Sequence, residues 1–207
     1  MDPSAKFWDR IAERYSKRPI ADEAAYEKKL TVTRQYLRPD SSVLEFGCGT
    51  GSTAIALAPY VAQILGIDIS AKMIEIAQRK ASSANVANVT FEQKSIDNLT
   101  TPDQSLDAVL GLSILHLVED RDAIIQKVYN MLKPGGVFVS STACIADSMK
   151  FFKFIAPIGQ FFRVMPLVTV FSETELVKSL TDAGFRIEHQ WLPGKGKAVF
   201  IVAKKPG

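Results

Sequence analysis

Between residues 42 and 141 the chain alternates short apolar runs (42–46, 63–68, 89–93, 108–112 and 137–141) with longer amphipathic stretches (52–60, 71–84 and 120–132). No other feature limits the fold as tightly. Near-continuous apolar runs are what strands look like when both faces of their sheet are covered, and the stretches between them have the length and periodicity of crossover helices. The stretch 120–132 ends at Lys133-Pro134-Gly135-Gly136, a proper helix stop. A further helical pattern at 173–183 is closed by Gly184. Two strand-like runs, 186–191 and 198–203, then flank Pro193-Gly194-Lys195-Gly196, which reads as an antiparallel hairpin. Ahead of the alternation lie two helical patterns, 5–15 and 22–37, broken at Lys17-Arg18-Pro19. The expectation is an α/β chain whose seven-stranded, mostly parallel sheet has helices on both faces and a C-terminal antiparallel hairpin.

The 207 residues fit one domain, 1–207, with 1–38 as an N-terminal helical cap and 147–171 as an insertion after the fifth strand. A net charge of +3 is too small to mark a nucleic-acid binder. Cys48 and Cys144 lack the number for a disulfide framework and the spacing of a zinc site, so a reducing cytoplasm is the simplest location, and the N-terminus carries no signal-peptide pattern. The apolar region 151–171 is interrupted by Lys153, Pro157, Arg163 and Pro166, which does not suit a membrane span. The two histidines, His116 and His189, stand in unrelated segments, and no metal site is expected.

Chemistry is concentrated where the first apolar run ends. Gly47-Cys48-Gly49-Thr50-Gly51 follows a strand and precedes a helix, a place where glycines permit positive φ and let backbone approach a ligand closely. Alone, such a triplet reads as an ordinary turn. Asp68, at the end of the next run, changes the balance: a carboxylate at that strand end suits the two hydroxyls of a ribose lying across the carboxyl edge of the sheet. Its simpler role is as a neighbour of Ser70 at a helix start.

Glu45-Phe46-Gly47-Cys48-Gly49-Thr50-Gly51, Asp68 and Leu132-Lys133-Pro134-Gly135-Gly136 together resemble the class I S-adenosylmethionine-dependent methyltransferases, particularly the small-molecule branch (methyltransferase type 11) that includes the ubiquinone-biosynthesis C-methyltransferases. The resemblance implies a Rossmann-like sheet and S-adenosylmethionine as cofactor. It places Glu45, Gly47, Cys48, Gly49 and Gly51 around the methionine end, Asp68 and Ile69 at the ribose, Ser95 and Ile96 at the adenine, and Ser113 beside the sulfonium. The chain departs from the family at Ser95, where an Asp is usual; Asp97 stands two residues on. It also lacks the Asn/Asp-Pro-Pro-Tyr loop of relatives that methylate nucleobase or glutamine nitrogens.

The same resemblance makes 7–15 a helix closing over the cofactor, with Tyr15 near the methionine carboxylate or sulfonium, and puts His116 past the fourth strand, where a general base would face the acceptor. The expected reaction is direct in-line methyl transfer to a small, largely apolar, lipid-like acceptor, with no nucleic-acid partner. Half of the 12 phenylalanines fall within 147–171, which suits a substrate lid, a peripheral membrane contact or a dimer interface; oligomeric state stays open. Two rivals remain: an NAD-dependent oxidoreductase, disfavoured because Ser52 stands where Gly-x-Gly-x-x-Gly needs its last glycine, and a non-catalytic nucleoside-binding or partner protein on the same fold.

Overall fold

The computed structural model describes residues 3–148 and 167–207. Two helices, α1 (Pro3–Ser16) and α2 (Glu23–Arg34), lead into β1 (Ser42–Phe46), α3 (Ser52–Leu57), β2 (Gln63–Asp68), α4 (Ala71–Ser83), β3 (Val89–Gln93), β4 (Leu106–Leu112), α5 (Arg121–Met131), β5 (Leu132–Thr142) and α6 (Ile145–Ser148). Beyond the undescribed segment come α7 (Glu173–Asp182), β6 (Arg186–Trp191) and β7 (Val199–Lys204). The seven strands form one sheet in the order β3-β2-β1-β4-β5-β7-β6. All pairings from β3 to β5 are parallel, whereas β7 runs antiparallel to both β5 and β6. The antiparallel β7 wedged beside β5 separates this sheet from the parallel 3-2-1-4-5-6 order of dinucleotide-binding domains.

Alternate residues of each strand enter different cores, as the period of two requires. Leu44, Phe46, Ile67, Val109 and Phe138 face α5 and α7 and meet Ile125, Val128, Leu176 and Leu180. Val43, Ile64, Ala108, Leu110 and Val139 point the other way, toward Leu30 of α2, Leu57 of α3 and Ala77 of α4. Both faces being covered explains the unbroken apolar runs in the sequence. Helix α1 adds a small third cluster, Trp8 and Ala12 against Met73 and Ile76 of α4.

Two details differ from the sequence pattern, at 52–60 and at the start of β5, while the absence of a helical stretch before β4 agrees with it. The stretch 52–60 does not continue as one helix: α3 ends at Leu57 and a 3-10 turn, Ala58–Tyr60, carries Pro59, whose ring cannot continue an α-helical ladder. The segment 94–105 crosses from β3 to β4 without a helix, anchored by buried Ile96 and Leu99. Strand β5 begins at Leu132, paired with Leu106, and takes in the Lys133–Gly136 turn through a register shift, with Gly135 at φ 79°.

Of the insertion 147–171, residues 149–166 lie outside the described part, and with them most of the segment expected to act as a lid. Phe171 is described and is a core residue, buried with Leu176 and capped by the Arg121 guanidinium 4.3 Å from its ring centre. No helix among the described residues is long and apolar enough to cross a membrane.

Candidate active site

All three glycines after β1 take left-handed backbone, Gly47 at φ 64°, Gly49 at φ 53° and Gly51 at φ 74°, which side chains with a Cβ rarely adopt. Their surroundings differ. A Cβ on Gly47 would lie 2.6 Å from the Ile114 side chain, and one on Gly51 would lie 2.5 Å from Phe91 and 2.8 Å from Ala77. A Cβ on Gly49 would meet nothing within 4 Å. Gly49 is therefore where the loop presents bare backbone to open space, while Gly51, at the start of α3, lets the loop pack on β3 and α4.

Asp68 holds this loop in place. Its Oδ2 accepts from the Gly49 N–H at 2.9 Å and its Oδ1 from the Ser70 N–H at 2.9 Å. Burial raises its carboxyl above the ordinary range, with the two backbone N–H donors opposing that shift. Ser70, fully buried, caps α4 by accepting from the Met73 N–H and donates its own proton to Asp9 Oδ1 at 2.6 Å. Asp9 also accepts from the Lys72 N–H, so α1 is tied to the start of α4 directly beside Asp68.

Two cavities open from the loop. The first, about 280 Å³, lies between Asp68 and Ile69 on one side and Ser95, Ile96 and Asp97 on the other, roofed by Trp8 and Tyr15 of α1 and closed by Leu117, Val118 and Leu167. The second, about 540 Å³, runs from Glu45, Cys48 and Thr50 beneath α2 to Ser141 at the end of β5, with Lys29, Lys80, Arg18 and Lys197 on its walls. Tyr15, Gly47, Gly49, Leu112 and Ser113 line both. Ser113 is the sole non-glycine residue at positive φ on this boundary (60°), held there by its N–H to the Ser141 carbonyl at 2.6 Å; strain of this kind gathers at functional sites.

Glu45 lines the second cavity beside the glycine loop, almost fully buried on β1. Burial, opposed by the Ala54 backbone N–H and reinforced by the Asp68 charge, pushes its carboxyl up to about 8. Its Oε2 has no hydrogen-bond partner among the described residues. A buried polar atom left in this condition is costly unless a ligand completes it.

Residues 37–185 match a protein family described as Methyltransferase domain. The chain belongs to this family. It is 34% identical over 102 residues to the uncharacterized methyltransferase YcgJ of Bacillus subtilis, a match covering 49% of this chain and 40% of that protein. It is 28% identical over 157 residues to the demethylmenaquinone methyltransferase of Symbiobacterium thermophilum, covering 72% of this chain and 61% of the relative. Each of these sequence matches covers less than two thirds of the relative's length. The crystal structure of YcgJ superposes with a TM-score of 0.70 at 19% identity, over 87% of this chain and 99% of that one.

Membership in the methyltransferase family implies S-adenosylmethionine as cofactor, and the residues fit it: bare backbone at Gly49, an unpartnered buried carboxyl oxygen on Glu45, and Asp68 on the wall of a cavity with an apolar far end. Most residues expected from the sequence meet here. Glu45, Gly47, Gly49, Asp68, Ile69, Ser95, Ile96, Ser113 and Tyr15 line one or both cavities. Cys48 lines the second, buried, its thiol pushed well up by burial and therefore inert. Gly51 departs from expectation: it lines neither cavity, because its role is packing against Phe91 and Ala77. His116 lines neither cavity as well; burial holds its imidazole pKa below the usual value, and its Nδ1 has no partner among the described residues. Sequence reasoning missed Lys29, Lys80 and Asp9, whose positions depend on how α1, α2 and α4 meet, and no local pattern marks them.

Proposed function

We propose that this methyltransferase-family chain holds S-adenosylmethionine in the first cavity and passes its methyl group to a small-molecule acceptor lodged in the second. The observation that carries this reading is the shared boundary: two cavities of different character touch at Tyr15, Gly47, Gly49, Leu112 and Ser113. A donor on one side and an acceptor on the other would meet there. The assigned holders are Asp68 and Ile69 for the ribose, Ser95, Ile96 and Asp97 for the adenine, and Gly47 and Gly49 for the methionine end, which reaches over these shared glycines to Glu45 on the second cavity's wall.

When bound, S-adenosylmethionine supplies a methyl group already activated by its sulfonium, so the chain has chiefly to position and to exclude water. Tyr15 and Trp8, edge to face with ring centres 6.3 Å apart, cover the boundary from α1. Ser113 and Gly49 supply backbone at the boundary without bulk. Relatives named for demethylmenaquinone and for ubiquinone-biosynthesis methylation support a small acceptor with a largely apolar body. The chain length that those relatives add beyond the matched region keeps their particular substrates their own.

Calorimetric titration with S-adenosylhomocysteine and with NADH tests the assignment: the first binds and the second does not. Incubation with methyl-labelled S-adenosylmethionine and a fractionated small-molecule extract should then move label into an organic-soluble product. Binding of NADH in place of S-adenosylhomocysteine overturns the reading.

A further inference from the structure

The second cavity carries an excess of positive charge that the donor site does not explain. Four cations, Arg18, Lys29, Lys80 and Lys197, face two carboxyl groups, Asp22 and Glu45. Asp22 stands 4.0 Å from Lys197 and also caps α2 through the Ala25 N–H. Glu45, pushed up to about 8, is mostly uncharged at neutral pH. That leaves one charged carboxylate, Asp22, which also acts on Lys29 and partly opposes the effect of its burial, against four cations on the cavity wall.

The two lysines are set in place. Leu30 and Thr33, both buried in the turn that follows Lys29, fix α2 so that this lysine reaches across the carboxyl edge of the sheet and donates to Ser141 Oγ at 2.8 Å. Lys80, from α4, donates to Thr50 Oγ1 at 2.9 Å and Ser52 Oγ at 3.0 Å. Both ammonium groups are half-buried with neutral hydroxyls as partners, and burial lowers both pKa values below that of a free lysine. Elsewhere on the molecule Lys72, Lys133 and Lys178 each have a carboxylate within ion-pair distance. Among the described residues neither Lys29 nor Lys80 has one. Partly desolvated cations are destabilised unless an anion joins them.

We infer that the second cavity selects an acceptor bearing an anionic group, a carboxylate or a phosphate, and that Lys29 and Lys80 are the residues that recognise it. This rests on the reading of the second cavity as the acceptor site. It makes the acceptor amphiphilic: an apolar body with one charged end, which fixes its orientation relative to the boundary at Ser113. The cofactor also carries a carboxylate on its methionine end, so the experiment must separate the two sources.

The probes are 4-hydroxybenzoate, its neutral amide and inorganic phosphate, titrated by calorimetry into protein saturated with S-adenosylhomocysteine. At least one of the two anions should bind, with the amide weaker than the acid. In Lys29→Met and Lys80→Met anion affinity should fall about tenfold or more, the scale of one charge-assisted hydrogen bond. S-adenosylhomocysteine affinity should stay within about threefold, and Lys29→Arg and Lys80→Arg should recover most of the anion binding. If a Met variant melts early, the Gln variants at the same positions carry the comparison. Absence of anion binding to the wild type, or equal binding to the variants, overturns the proposal. So does a tenfold loss of S-adenosylhomocysteine affinity in the Lys variants, which would assign the lysines to the cofactor. Failure of the wild type to bind S-adenosylhomocysteine at all would instead strike the functional assignment itself.

Discussion

The two cavities on either side of the glycine loop share five residues and differ in almost every other respect. The first is walled by three carboxylates, Asp68, Asp97 and Glu119, against the single cation Lys94, which already pairs with Glu92. The second, nearly twice as large, has four cations on its walls. A carboxylate-rich wall suits hydroxyl and amine donors and a cationic sulfonium, whereas an ammonium-rich wall suits an anion. Opposite potentials on adjoining cavities sort two ligands to their own sides without needing an exact fit for either. The glycine loop separates them because it is the thinnest partition a chain can build: backbone with no Cβ at Gly49.

Breaking the first side should have the largest effect. Asp68→Ala removes the acceptor for the Gly49 and Ser70 N–H groups as well as the proposed ribose contact. At roughly 1–3 kcal/mol per charged hydrogen bond, S-adenosylhomocysteine affinity should drop about 100-fold. Anion affinity in the second cavity should change far less. Calorimetry with both ligands on one variant gives the contrast; equal losses would mean that the two cavities are one site.

Glu45, on the second cavity's wall beside the glycine loop, sharpens the comparison with a moderate effect. Its folded-state carboxyl is pushed up to about 8, against an ordinary value near 4.5. For an acid raised in this way the native state binds more protons than the unfolded chain between those values, so stability declines as pH rises from about 4.5 through about 8. Glu45→Gln should remove this slope, which at about 1.4 kcal/mol per pH unit is on the order of 5 kcal/mol across the window. Binding of the cofactor's ammonium to an ionised Glu45 should release a proton at neutral pH. Chemical denaturation at several pH values, and calorimetry in buffers of different ionisation enthalpy, measure both. A variant with the wild-type pH slope would remove Glu45 as its cause.

What the sequence disclosed and what it hid follow the same division. The donor side is built from strand ends and the turns after them, so Gly47, Gly49 and Asp68 announce themselves through local spacing, and Ser113 through the family resemblance. Covered strands likewise read directly as apolar runs. The misreading at 52–60 has a local cause too: Pro59 stops α3 short. Gly51 looked like its neighbours in sequence, but only the packing of Phe91 and Ala77 reveals why it is glycine. The acceptor side is different in kind. Lys29 and Lys80 sit in helices where lysine is commonplace, and their significance arises only when α2 and α4 bring them to one cavity. Tertiary placement of long side chains leaves no short-range signature.

The smallest expected effect concerns the roof over both cavities. Tyr15 and Trp8 reach the site because α1 is tied down by Asp9, which accepts from Ser70 Oγ and the Lys72 N–H at the start of α4, where the helix dipole also favours its charge. Trp8 and Ala12 pack on Met73 and Ile76, and Glu13 pairs with exposed Arg79, a contact of little energetic consequence. Asp9→Ala should cost about 1–2 kcal/mol, expressed locally because Ser70 still caps α4 and the sheet's two cores are untouched. Amide exchange in α1 should quicken about tenfold, the rest of the molecule should exchange as before, and S-adenosylhomocysteine affinity should fall only a few-fold. Saturating S-adenosylhomocysteine should slow α1 exchange in the wild type, since Trp8 and Tyr15 line the first cavity. Unchanged α1 exchange in Asp9→Ala would show that apolar packing alone holds the roof. Loss of protection spreading into β1 and β4 would show that α1 is part of the core rather than a cover on it.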